Sequence, residues 1–84
     1  MNNRHRRTLE ALFAQQPGSN IRWADVESLL RALGATIEEG AGSRVHVALQ
    51  GKYATFHHPH PSPTLRRGMV RALRAFLEHV EIEP

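Results

Sequence analysis

The chain has no cysteine, which excludes disulfide bonds, thiolate metal sites and a thiol nucleophile. Lysine is nearly absent: of eleven basic residues ten are arginine, a bias that favours planar, bidentate contacts with phosphate over general surface solubility. Aromatic residues are few, with one tryptophan, one tyrosine and three phenylalanines. No apolar run approaches the roughly 20 residues that span a bilayer. The stretch Met1 to Arg7 is polar and arginine-rich and does not resemble a signal peptide. The expectation is a cytoplasmic protein with no membrane partner.

With 84 residues, one domain covering 1–84 is expected. A chain of this size buries only about 60–65% of its unfolded surface, so the core is thin. The large apolar residues suffice for a two-layer fold and fall short of a deep pocket for a large cofactor; no cofactor is expected. The formal net charge is +3 with neutral histidines. Six histidines, each titrating near pH 6.5 when unperturbed, raise that charge on mild acidification.

Apolar periodicity predicts a short helix over Arg6 to Gln16, with Leu9, Leu12 and Phe13 on one face. Pro17-Gly18-Ser19-Asn20 stops it. Trp23, Val26, Leu29, Leu30 and Leu33 then form a clear helical stripe over about Arg22 to Leu33. Asp25 lies early and Arg31 late, as the helix dipole favours, and Gly34 suits a left-handed C-terminal cap. Three strands follow, Ala35 to Glu39, Ser43 to Leu49 and Lys52 to His57, the last two joined at Gln50-Gly51. A final helix is predicted over about Thr64 to Val80, with Thr64 as N-cap. Its core face is Met69, Leu73, Phe76, Leu77 and Val80; Arg67, Arg71, Arg74 and Glu78 form the opposite stripe.

A two-residue hairpin loop sets the register. Leu49 then faces Lys52, Val47 faces Ala54 and Val45 faces Phe56, so the apolar pairs share one side. The other side carries Arg44 opposite His57, His46 opposite Thr55, and Ala48 opposite Tyr53. A slip of one residue would bury Arg44 and His46. Imidazole and guanidinium groups therefore share one solvent-facing surface, which places proton transfer beside phosphate binding and points to RNA. Tyr53 is the candidate for base stacking, whereas Trp23 is expected to anchor the core. Arg4, Arg6 and Arg7 read as a frayed, solvated end. His57, His58 and His60 contain metal-binding side chains, but neighbouring strand residues point to opposite faces, and no metal is expected.

The run Trp23-Ala24-Asp25-Val26-Glu27-Ser28-Leu29-Leu30-Arg31-Ala32-Leu33-Gly34 is followed by Gly42-Ser43, a hairpin ending in a Pro/His turn, and a helix opening around Gly68. In that order the residues resemble the HicA toxins of bacterial HicA–HicB toxin–antitoxin pairs. The resemblance covers about residues 22 to 80. It divides the chain into an N-terminal helical extension, 1–20, and a HicA-like core, 21–84. It implies an α+β, double-stranded-RNA-binding-domain-like fold, here in the order α-α-β-β-β-α, with a three-stranded antiparallel sheet packed on helices. It also implies mRNA cleavage by one histidine of a Gly-Ser-His motif, and a HicB-like antitoxin as partner.

This chain reads Gly-Ser-Arg at that motif. Arg44 stays protonated near neutral pH and cannot serve as a base, though it stabilises phosphate charge. The imidazole moves to His46, two residues along the strand and roughly 6.5–7 Å from Arg44. The expected catalytic set is His46, Arg44 and His57. The expected RNA-binding set is Ser43, Arg44, Tyr53, Arg66, Arg67, Arg71 and Arg74, the helical arginines resembling the basic helix start that such folds lay against phosphates. Two function classes stay open: a metal-independent mRNA endoribonuclease held by an antitoxin, and an inactive descendant that binds RNA or protein. A DNA-binding helix-turn-helix is disfavoured because the second helix opens with Trp23, Asp25 and Glu27 rather than hydrogen-bond donors.

Overall fold

A computed structural model describes residues 2–15, 20–58 and 62–84. The element order is α1 (Asn3–Phe13), α2 (Trp23–Ala32), β1 (Thr36–Glu39), β2 (Arg44–Leu49), β3 (Lys52–His57) and α3 (Arg67–His79). This is the α-α-β-β-β-α, α+β architecture expected. The sheet is antiparallel throughout, in the order β1-β2-β3.

The β2–β3 register matches the derivation at every position, from Leu49↔Lys52 through Arg44↔His57. Gln50 and Gly51 have φ of 52° and 76°. Positive values at both central positions are what a type I′ hairpin turn requires. Val45, Val47, Leu49 and Phe56 are buried in one core with Val26, Leu29 and Leu30 of α2 and with Met69, Leu73, Phe76 and Leu77 of α3. The rings of Phe56 and Phe76 meet edge to face at 5.9 Å, an arrangement the ring quadrupoles favour.

At the end of α2 the chain turns through Gly34 at φ 99°. The amide of Ala35 donates to the Leu30 carbonyl at 2.9 Å and that of Gly34 to Arg31 at 3.0 Å. These bonds satisfy carbonyls that a helix end leaves open.

The helix starts depart from expectation. The first helix begins at Asn3 rather than Arg6, because Asn2 Oδ1 accepts from the His5 amide at 2.8 Å and caps it. Arg4, Arg6 and Arg7 are therefore helical and not frayed; Arg4 reaches Asp25 of α2 at 3.7 Å. Leu9 and Leu12 insert into the shared core.

The last helix begins at Arg67 rather than Thr64. Thr64 instead forms a β-bridge with Arg22. Around it Trp23 N donates to the Pro63 carbonyl at 3.0 Å and Leu65 N to Ile21 at 2.8 Å. Backbone committed to that pairing is extended and cannot open a helix. It also buries Ile21 and Leu65. Of the expected core face of α3 every member is buried, and Val70 joins them.

Arg74, expected with Arg67 and Arg71 on the stripe opposite the core, is engaged rather than exposed. It is half-buried, with Nε donating to the Leu12 carbonyl at 2.8 Å and a terminal nitrogen to Ala14 at 2.6 Å. Its guanidinium closes the C-terminal end of α1, where helix carbonyls lack partners.

Candidate nucleic-acid interface

Among the described residues the helices cover one side of the sheet and leave the other open. Side chains directly opposite across an antiparallel pair lie on the same face. Three rows result on the open side: Thr36–Ala48–Tyr53, Glu38–His46–Thr55, and Arg44–His57 at the end nearest the β1–β2 loop. Arg44, His46, Tyr53, Thr55 and His57 are all exposed, Tyr53 to 82%. His46 stands on the central strand of this surface.

The His46 ring is held from two directions. Its Nδ1 lies 2.9 Å from the Thr55 hydroxyl. Its Nε2 edge lies over Gly40, where a Cβ would collide with the ring. With Nδ1 engaged by Thr55, Nε2 is the nitrogen left for proton exchange or for a phosphate oxygen. Glu38 flanks the ring from β1.

A groove of about 400 Å³ runs between β3 and the start of α3, lined by Thr55, His57, Arg66, Gly68, Met69 and Ala72 among others. Through it Arg66 joins His57 of the open face. Arg67 and Arg71 are exposed but belong to the helix layer, on the far side of the sheet from His46. The expected arginine set therefore divides: Arg66 beside the site, Arg67 and Arg71 on the helical layer, and Arg74 taken up by α1.

Ser43 lies elsewhere too. A separate cleft of about 260 Å³ at the end of the sheet is lined by Trp23, Glu39, Gly40, Gly42, Ser43, Arg44, Val45 and His58. His58 is buried, its ring 5.4 Å from that of Trp23, and its amide donates to the Ser43 carbonyl at 2.8 Å. Trp23 is thus half-buried, against the core on one side and His58 on the other.

Among the described residues no cluster of three or more His, Cys, Asp or Glu side chains is placed to hold a metal ion. His60 of the metal alternative lies outside the described residues, and His57 is exposed where His58 is buried. No helix among the described residues is long and apolar enough to cross a membrane.

Sequence reasoning missed Thr55, Gly40 and His58 as site residues. The signal for Thr55 was its place opposite His46 in the register. For His58 it was strand parity, which turns it inward after outward-facing His57. Nothing in the sequence announced that the His46 ring would lie over Gly40.

The family model of the HicA toxin of bacterial toxin–antitoxin systems matches residues 23–82, from the first residue of α2 to just beyond α3. No curated protein and no solved structure gave a significant match.

Proposed function

The chain belongs to the HicA toxin family, a toxin whose partner is an antitoxin, and on that premise we propose that it binds and cleaves mRNA. We read residues 21–84 as the toxin core and 1–20 as a helical extension docked on it. The RNA-binding surface is the open sheet face, continued round the β3 edge to Arg66, with Arg67 and Arg71 contributing from the helix layer. A HicB-like antitoxin silences the protein by covering that face, in the cytoplasm where mRNA is found.

The observation that carries this reading is the row geometry on the hairpin: Arg44 opposite His57, and His46 one row away, tethered to Thr55. Cleavage of RNA through its own 2′-hydroxyl needs a base, an acid and a cation. His46 takes the 2′-hydroxyl proton as the 2′-oxygen bonds to phosphorus. Charge building on the phosphoryl oxygens is met by Arg44, which remains cationic throughout. The bond from phosphorus to the 5′-oxygen breaks, and His57 gives that oxygen a proton. The products are a 2′,3′-cyclic phosphate and a 5′-hydroxyl. Proton transfer between these imidazoles and the RNA oxygens requires no metal.

The test is incubation of the purified chain with mixed RNA in EDTA. Fragments ending in 2′,3′-cyclic phosphate are expected, and His46→Ala abolishes them. A second reading, the inactive descendant, is favoured by Arg44 standing at the Gly-Ser-His position. RNA that binds with steep salt dependence yet stays intact with the unsubstituted chain would establish that reading and overturn cleavage.

A further inference from the structure

We propose that the cleft at the end of the sheet is a pocket for one unpaired guanine base of the bound RNA. The inference rests on the RNA reading above and adds a base preference to it.

The cleft is distinct from the open face. Glu39 and Val45 are register partners on the helix side of the sheet. Ser43 and His58 extend the adjacent β2–β3 ladder by one backbone bond, and Trp23 closes the wall from the start of α2. At about 260 Å³ the space is below the roughly 300–1,000 Å³ of pockets that enclose drug-sized ligands. A single base ring suits it better than a whole nucleotide or a peptide segment. Protein recognition of RNA sequence works mainly on such splayed-out bases, stacked on aromatic rings and hydrogen-bonded along their edges. Trp23 and His58, tilted 33° to one another, supply the aromatic wall.

The polar groups select the base. Glu39 is exposed and forms no ion pair with Arg44, although both line the cleft. An ionised carboxylate is acceptor-only, with two oxygens. Guanine presents two adjacent donors, N1–H and the N2 amino group, which match those oxygens as a bidentate pair. Adenine and cytosine place a donor beside an acceptor, and uracil places its one N–H between two acceptors, so each sets a lone pair against the carboxylate. The Ser43 hydroxyl on the same wall is a donor for guanine O6. Arg44 belongs to both sites, rimming the cleft and standing on the open face. It holds the phosphate that joins the seated base to the strand running past His46.

Trp23 is the single tryptophan, so its emission reports on the cleft directly. Titration with the trinucleotides UGU, UAU, UCU and UUU is expected to change that emission with UGU preferred by at least about tenfold, within what one bidentate pair supplies. Glu39→Gln removes the preference; Glu10→Gln, an equal charge change on the exposed side of α1, retains it. A labelled longer single strand followed by anisotropy tests the RNA reading separately. If that strand binds while the trinucleotides leave Trp23 unchanged, or affect it equally, the guanine pocket is wrong and the RNA reading survives. If the strand does not bind and UGU is still preferred, the pocket stands and the RNA surface is wrong. Loss of both signals overturns both.

Discussion

The guanidinium of Arg74 donates to the backbone carbonyl of Leu12 at 2.8 Å, joining the last helix to the end of the first. A second bond from the same group reaches Ala14. Charge-assisted bonds to otherwise unsatisfied carbonyls stabilise more than solvent-exposed ion pairs do. Arg74→Ala is expected to lower the unfolding free energy by about 1–3 kcal/mol, measured by urea denaturation. Arg71→Ala, on exposed helix surface, is expected to stay within about 0.5 kcal/mol of the parent. It lowers the slope of log affinity against log salt by about 0.7 for single-stranded RNA. A reversal of these two phenotypes would return Arg74 to the RNA-binding set.

Gly40→Ala brings a methyl group into the His46 ring. That ring is the exposed end of a side chain, so it moves and the fold persists. The expected outcome is a melting temperature within a few degrees of the parent and a fall in RNA cleavage of about tenfold to a hundredfold, since small misplacements of a reacting group are costly. Unchanged cleavage would remove His46 from the reaction.

Thr55→Val keeps the side-chain shape and deletes the partner of His46 Nδ1. Cleavage is expected to fall about threefold to tenfold, as one lost hydrogen bond of about 1 kcal/mol implies. Thr55→Ser restores it. A serine variant as poor as the valine one would mean that the methyl group, not the hydroxyl, matters.

Tyr53→Ala is expected to leave stability unchanged within about 0.5 kcal/mol, because the ring is 82% exposed. RNA affinity is expected to weaken by about 1–3 kcal/mol, the range for a stacked base. Fluorescence anisotropy of a labelled single strand decides the matter; equal affinity would leave the ring without a ligand.

Gln50 adopts φ 52° at the first central position of the hairpin, a region that costs most residues about 1–2 kcal/mol. Asparagine tolerates it better. Gln50→Asn is expected to raise stability by about 0.5 kcal/mol with no effect on RNA, as the turn lies at the opposite end of the hairpin from Arg44. Thermal unfolding provides the check.

The hairpin register was legible because a period of two with one buried face leaves a single alignment, and Val45, Val47 and Phe56 specify it. The α2 stripe and the Gly34 cap were legible for similar local reasons. The start of α3 was not. Thr64 has a good N-cap side chain, yet its backbone is used by Arg22, a residue far away in sequence, and tertiary pairing overrode the local preference. Arg74 failed similarly: helical spacing put it with Arg67 and Arg71, and nothing local showed that α1 would end beside it. At the candidate site the sequence located the imidazoles and guanidinium on their strands. The register held the signal for Thr55 and strand parity the signal for His58, but the Gly40 seat and the contact of His58 with Trp23 depend on elements distant in sequence meeting.

The short pairing of residues 63–65 with 21–23 links the beginnings of two helices by main-chain bonds. Since Trp23 N is fastened to the Pro63 carbonyl, the wall of the end cleft and the segment leading to the β3 groove are set in place by one another, through peptide groups rather than through side chains.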